Sequence, residues 1–282
     1  MITLTMIVRR GIGLCAMALC SASWCAESPP PQFKVVAFYN TPANESAHVT
    51  FAHDANRWFL QKGVEYNFSY ESTTNWDQMN AGFLSRYQVV LFLDSRPDNR
   101  AQRKAFEEYM DHGGAWMGFH FAAFALTPSE FPQNWDWYHQ NFLGSGEYMG
   151  NSWPPTPAVL RIEDTQHPAT TNLPVTFKSA PSEWYRWKNN LRTNSNIKVL
   201  LSIDPTSFPV GKSVKPNETW TSGDYPVIWT NQKYKMIYMN MGHDDLDYTV
   251  NPHKQLSSTF DSKVQDQLIL NSLLWLGGGK KP

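Results

Sequence analysis

The chain has 282 residues, 41% of them hydrophobic, and a formal charge of −1, which is enough for one large domain that buries its own core. Its 24 basic and 25 acidic residues include no Lys/Arg block, which argues against nucleic acid or an anionic membrane surface and favours a small neutral ligand. Aromatic residues make up 14%, and many Trp and Tyr sit in polar, loop-like sequence that suits stacking on sugar rings; the alternative is that they are core.

Residues 1–26 read as a secretory signal: Arg9 and Arg10, an apolar run over 11–19, then the small residues Ser21, Ala22, Ser23 and Ala26. The run is shorter than the ~20 residues that span a bilayer. Cleavage is therefore expected, leaving a periplasmic or secreted protein with no membrane partner. Cys15, Cys20 and Cys25 all fall in this leader, so cleavage after Ala26 removes thiol nucleophiles, disulfides and Cys-ligated metals together. Loss of Arg9 and Arg10 takes the charge to 22 basic minus 25 acidic, or −3.

A Pro-rich lead at 27–32 precedes a single domain expected over 33–278, with 279–282 as a tail. Residues 33–39 predict a buried strand, followed by a polar loop carrying His48 and a helix over 50–62 closed by Gly63. A strand over 66–70 and a short helix over 78–84 come next. The run Tyr-Gln-Val-Val-Leu-Phe-Leu at 87–93 reads as a strand of a parallel sheet covered on both faces. An amphipathic helix over 99–112 turns Phe106, Tyr109 and Met110 inward and ends at Gly113-Gly114; another buried strand covers 115–119. The stretch 124–196 is rich in Trp, Pro and Asn, with short strands such as 158–163, and reads as a loop-rich insertion. Strands over 199–203, 227–229 and 236–241 follow, the last two as an antiparallel pair. A helix over 261–276 closes the chain. The alternation predicts an α/β fold, a doubly wound, mostly parallel sheet with helices on both faces and a ligand crevice beyond the carboxyl strand ends.

Gly113-Gly-Ala-Trp-Met-Gly-Phe-His-Phe-Ala-Ala123 is a strand that turns abruptly at small residues, expected to lead into a helix. In α/β enzymes such an elbow exposes its central residue beside backbone N–H groups. Here that residue is His120, which is no acyl-transfer nucleophile but can act as general base, proton shuttle or metal ligand. Met236-Ile-Tyr-Met-Asn-Met-Gly-His243 places a second histidine at a strand end. Glu183 and His48 are further candidates. Together they suffice for a zinc or manganese site, although no H-E-x-x-H spacing is present. The plain alternative for each is a hydrogen-bonded structural residue. Asp244, Asp245 and Asp247 lack the Gly and terminal Glu of a calcium loop and read as a solvated turn.

The ordered set of His48, Gly113-Gly114 through Gly118-Phe-His120, Trp135-Asp-Trp-Tyr138, Phe142-Leu-Gly144, His167-Pro168, Glu183-Trp-Tyr185, Pro226-Val-Ile-Trp229, Gly242-His243 and Leu274-Trp275 resembles the ThuA-like (trehalose-utilisation) family. The resemblance runs over about 33–278 and implies a flavodoxin-like fold similar to class I glutamine amidotransferases. There the elbow holds a cysteine and a later strand is followed by a histidine, so the resemblance implies a retained site with altered chemistry at His120 and His243. Asn151 stands where the family tends to have a histidine, and Ser182 where an acid often precedes Glu183.

The family's association with disaccharide uptake and breakdown implies action on a disaccharide or its keto-sugar derivative, by proton abstraction or hydrolysis. His120 and His243 are then the acid/base residues and Glu183 an assisting group. His48, Trp135, Trp137, Tyr138, Trp184, Tyr185 and Trp229 are the expected substrate-binding residues. Two other readings stay open: a non-catalytic carbohydrate-binding protein, and a partner subunit of a sugar oxidoreductase.

Overall fold

The computed structural model describes residues 29–42, 46–126, 135–213 and 220–280. The expected leader and its three cysteines lie outside the described residues. In chain order the elements are β1 (Lys34–Tyr39), α1 (Ser46–Tyr66), β2 (Ser69–Thr73), α2 (Ala81–Leu84), β3 (Val89–Leu93), α3 (Arg100–Asp111) and β4 (Ala115–Phe119). Then come β5 (Tyr148–Trp153), β6 (Val159–Ile162), β7 (Thr176–Lys178), β8 (Tyr185–Trp187), β9 (Ile197–Ile203) and β10 (Lys212–Ser213). The last are β11 (Pro226–Asn231), β12 (Lys235–Met239), β13 (Leu246–Asp247), β14 (Lys254–Gln255) and α4 (Lys263–Gly277).

The main sheet has nine strands in the order β2-β1-β3-β4-β12-β11-β9-β6-β7. Pairs from β2 to β12 are parallel, and those from β12 to β7 are antiparallel. Continuous apolar runs make this possible: β3 and β4 are buried along their whole length, as strands covered on both faces must be. Alternate residues feed two cores. Val35, Leu91 and Met117 pack with Phe51 and Phe59 of α1 and Leu268 and Leu273 of α4. Val36, Phe92 and Trp116 pack with Phe106 and Met110 of α3. Helices thus cover both faces, as expected, and the β11–β12 pair is the antiparallel hairpin expected near Asn231.

Caps set the helix ends. The Asn99 side chain accepts from the Ala101 amide at 2.7 Å at the start of α3, and Ser262 caps α4, which stops at Gly278 with φ +70°. Gly63, expected as a cap, lies inside α1, where a Cβ would come within 2.8 Å of the Phe68 carbonyl oxygen. The longer helix shifts β2 toward the C-terminus and starts early enough to put His48 in its first turn rather than in a loop.

The middle stretch is more than an insertion. Its β6 and β7 extend the main sheet, while β5 and β8 join β10 in a separate three-stranded sheet. Among the described residues no helix is long and apolar enough to cross a membrane.

Candidate functional site

The strand order reverses between β1 and β3, and that is where a doubly wound sheet opens a crevice beyond its carboxyl ends. Four chain segments leave the sheet there. One follows β1 into α1 and carries His48, β3 leads into Asp94, β4 into His120, and β12 into Asn240 to His243.

His120 turns the chain. It has φ +38°, a left-handed conformation that is uncommon for a side chain with a Cβ, and a 3₁₀ turn over His120–Ala123 follows instead of the expected α-helix. The ring is fully buried. Its Nδ1 lies 3.0 Å from the Asn240 carbonyl oxygen and 3.3 Å from the Asn240 side-chain amide, and its Nε2 lies 3.1 Å from Glu183 Oε2. Beneath it packs Tyr185, with ring centroids 4.1 Å apart, and the Tyr238 hydroxyl donates to the His120 carbonyl at 2.8 Å. Burial lowers the His120 pKa to about 4, against the opposing pull of Glu183, so the ring is neutral near pH 7.

His243 faces the same carboxylate, with Nδ1 3.5 Å from Glu183 Oε2 and Nε2 3.8 Å from Asp245 Oδ2. Neither of its buried nitrogens makes a hydrogen bond. Burial alone would raise the Glu183 carboxyl, but the close contact with His120 and the surrounding imidazoles hold it below the usual range. Glu183 Oε1 accepts from the Asn151 side-chain amide, and Asn151 in turn accepts from the Tyr148 hydroxyl. Asn151, where the family tends to have histidine, thus anchors the carboxylate.

His48 completes the group. Its Nδ1 is 2.8 Å from Asp94 Oδ2; since an ionised carboxylate only accepts, Nδ1 is the donor, which in the neutral ring leaves Nε2 as the acceptor. One nitrogen from each of His48, His120 and His243 lies within 4.8 Å of the others, a grouping that could hold a metal ion.

The structure therefore brings together His48, His120, Glu183 and His243, with Tyr185 packed below. It does not bring the other aromatics there. Trp135, Tyr138, Trp184 and Trp229 are buried in the core, and the indole N–H groups donate to Glu107, the Thr156 carbonyl and the Leu143 carbonyl respectively for Trp135, Trp184 and Trp229. Their polar handles are satisfied inside, so they offer no face to a sugar. Trp137 is half-buried against Phe142 and lines a hollow with Tyr234 and Lys233, on the hairpin at the amino end of β12 and away from the histidines. The acidic loop is also not simply solvated: Asp244 is buried, accepts from the Thr259 amide and has its pKa raised to about 7 by burial. Sequence reasoning missed Asp94, Asn240 and Tyr148. The position of Asp94 at the end of an apolar strand was the available signal.

A family model described as trehalose utilisation, ThuA, matches residues 34–258. A ThuA-like protein of Bacteroides uniformis is 34% identical, with a TM-score of 0.76 over 88% of this chain and 93% of its own. A ThuA-like protein of Parabacteroides merdae is 17% identical, with a TM-score of 0.58 over 90% of this chain and 92% of its own, a likeness of fold alone. No curated protein matches.

Proposed function

This chain belongs to the ThuA family of trehalose utilisation, and from that premise we propose that it is an exported enzyme of carbohydrate metabolism. It acts on a disaccharide or its keto derivative at a divalent cation held by His48, His120 and His243, with Glu183 beside them. The environment of His120 carries the reading. Both of its ring nitrogens face acceptors, the Asn240 carbonyl at 3.0 Å and the Glu183 carboxylate at 3.1 Å, while burial keeps the ring neutral. With Nδ1–H donating to the carbonyl, the Nε2 lone pair confronts a carboxylate oxygen. A cation held by His48, His120 and His243 would relieve that repulsion and give the His243 ring a partner. One nitrogen of each of the three histidines lies within 4.8 Å of the others, and Glu183 Oε2 stands 3.1 and 3.5 Å from the His120 and His243 nitrogens, placed to act beside a cation held there. The nitrogen-rich set suits zinc, with manganese the second choice.

When bound, the cation would polarise a sugar carbonyl or a water molecule. Glu183, ionised and held by Asn151, accepts the proton removed from the carbon beside that carbonyl or from the water. Asp94 fixes the His48 tautomer and so directs Nε2 inward. A second reading is favoured by the Asn240 side-chain amide 3.3 Å from His120 Nδ1. With that amide donating, Nε2–H points at Glu183, and His120 and His243 serve as metal-free acid and base.

Elemental analysis of the purified mature protein and of its His120→Ala, His243→Ala double variant separates the two. Near-stoichiometric zinc or manganese, lost in the double variant together with turnover of oxidised trehalose, is expected. A metal-free wild type overturns the cation and leaves the acid–base reading, under which His120→Ala must still lower turnover by about 10²–10⁴-fold.

A further inference from the structure

We propose that Trp153 is the platform on which the sugar ring stacks, a specificity-determining residue of the site; this rests on the carbohydrate reading above. Among the described tryptophans it is the exposed one, with 42% of its surface open to solvent. Its ring centroid lies 6.0 Å from that of His243, with the ring planes at 90°. It ends β5 two residues after Asn151, so the two side chains leave the strand on the same face. One therefore holds the Glu183 carboxylate while the other stands at the edge of the same recess.

Besides Tyr185, buried beneath His120, two aromatics flank the three histidines. Phe121 lies 4.8 Å from His48, but it is also stacked on Phe124 at 4.7 Å and 15°, which occupies its faces. Trp153, by contrast, meets no aromatic ring other than His243 among the described residues. Leaving an indole in water forgoes the stabilisation that burial would give it, and this one stands where a substrate must enter. The negative face of the indole attracts the C–H face of a pyranose, and one stacked ring with a few converging polar groups is how neutral ligands are oriented. The preferred ligand is a hexopyranoside whose apolar face lies on Trp153 and whose reacting carbon reaches the Glu183–His243 edge. An anionic or extended acyclic ligand gains little from such a face.

The test measures calorimetric affinity for trehalose and for chemically oxidised trehalose in wild type, Trp153→Ala and Trp153→Phe, with metal content and oligomeric state recorded for each. The expected result is about ten-fold weaker binding in the alanine variant, partial recovery in the phenylalanine variant, and unchanged metal content. In turnover the loss appears in KM with kcat nearly unchanged, because stacking holds substrate and transition state alike. Equal affinity in wild type and Trp153→Ala overturns the platform while leaving the site's function standing, and so does a change confined to oligomeric state. A wild type that binds neither sugar overturns the carbohydrate reading, and the platform with it.

Discussion

The two halves of the main sheet contribute to the site in different ways. In the parallel half, β2 through β12, adjacent strands point the same way, so topology alone delivers Asp94, His120 and His243 to one edge, with His48 arriving on α1. In the antiparallel half no such edge exists. The middle of the chain reaches the site instead through a side sheet, where Tyr148 and Asn151 of β5 hold Glu183 just ahead of β8. His120 and His243 are thus set by the ends of buried strands, and the carboxylate by a short chain of side-chain hydrogen bonds. The first arrangement is rigid and costly to disturb; the second is adjustable.

That contrast can be tested from the largest effect downward. Trp116→Ala, in fully buried β4, should cost about 3–5 kcal/mol in denaturant unfolding, whereas Trp153→Ala should stay within about 0.5 kcal/mol. Asp94→Asn, which weakens the hold on His48, should lower metal affinity by about 10–100-fold in a chelator competition. Asn151→Ala should lower it by less than about ten-fold, since Glu183 keeps its two histidine neighbours; the reverse order would break the comparison.

A small, pH-dependent effect belongs to the antiparallel half. Arg192 pairs there with Glu163 and Asp224, a partly exposed network worth at most about 1 kcal/mol. Arg192 holds the Glu163 carboxyl below its ordinary 4.5, so the pair's contribution is full above that value. It is lost as pH falls through the lowered pKa. Urea midpoints for wild type and Arg192→Ala should differ slightly at pH 7 and converge in acid.

Legibility in the sequence follows the same division. β1, β3, β4 and the β11–β12 hairpin announce themselves as unbroken apolar runs, and a histidine directly after such a run, as at His120 and near it at His243, is a readable strand-end residue. Asp94 sits in the same kind of place, yet Asp-Ser-Arg-Pro-Asp reads as an ordinary polar loop. Its burial against His48 is decided by α1, dozens of residues away. The tryptophans misled for a related reason. Trp135 and Trp184 lie in polar sequence that looks exposed, but each indole N–H finds an acceptor that only the tertiary fold supplies. Trp153, followed by Pro154 and Pro155, belonged to no periodic pattern and gave no signal. Of the short strands only β6 was legible, at 158–163; β5, β7 and β8 were hidden in the same way, since three to six residues carry too little periodicity to declare themselves.

Gly242 joins the two strand ends that matter most. It has φ +136°, and a Cβ there would stand 2.8 Å from Asp94 Oδ1 and 3.0 Å from His120 Cβ. A single methyl group at this position would press on the ends of β3 and β4 together while every imidazole and carboxylate stayed encoded. In evolutionary terms, a lineage can retire this site by one codon change and keep its full complement of histidines. The histidines alone therefore say less about whether this arrangement is intact than the glycine that stands before the last of them.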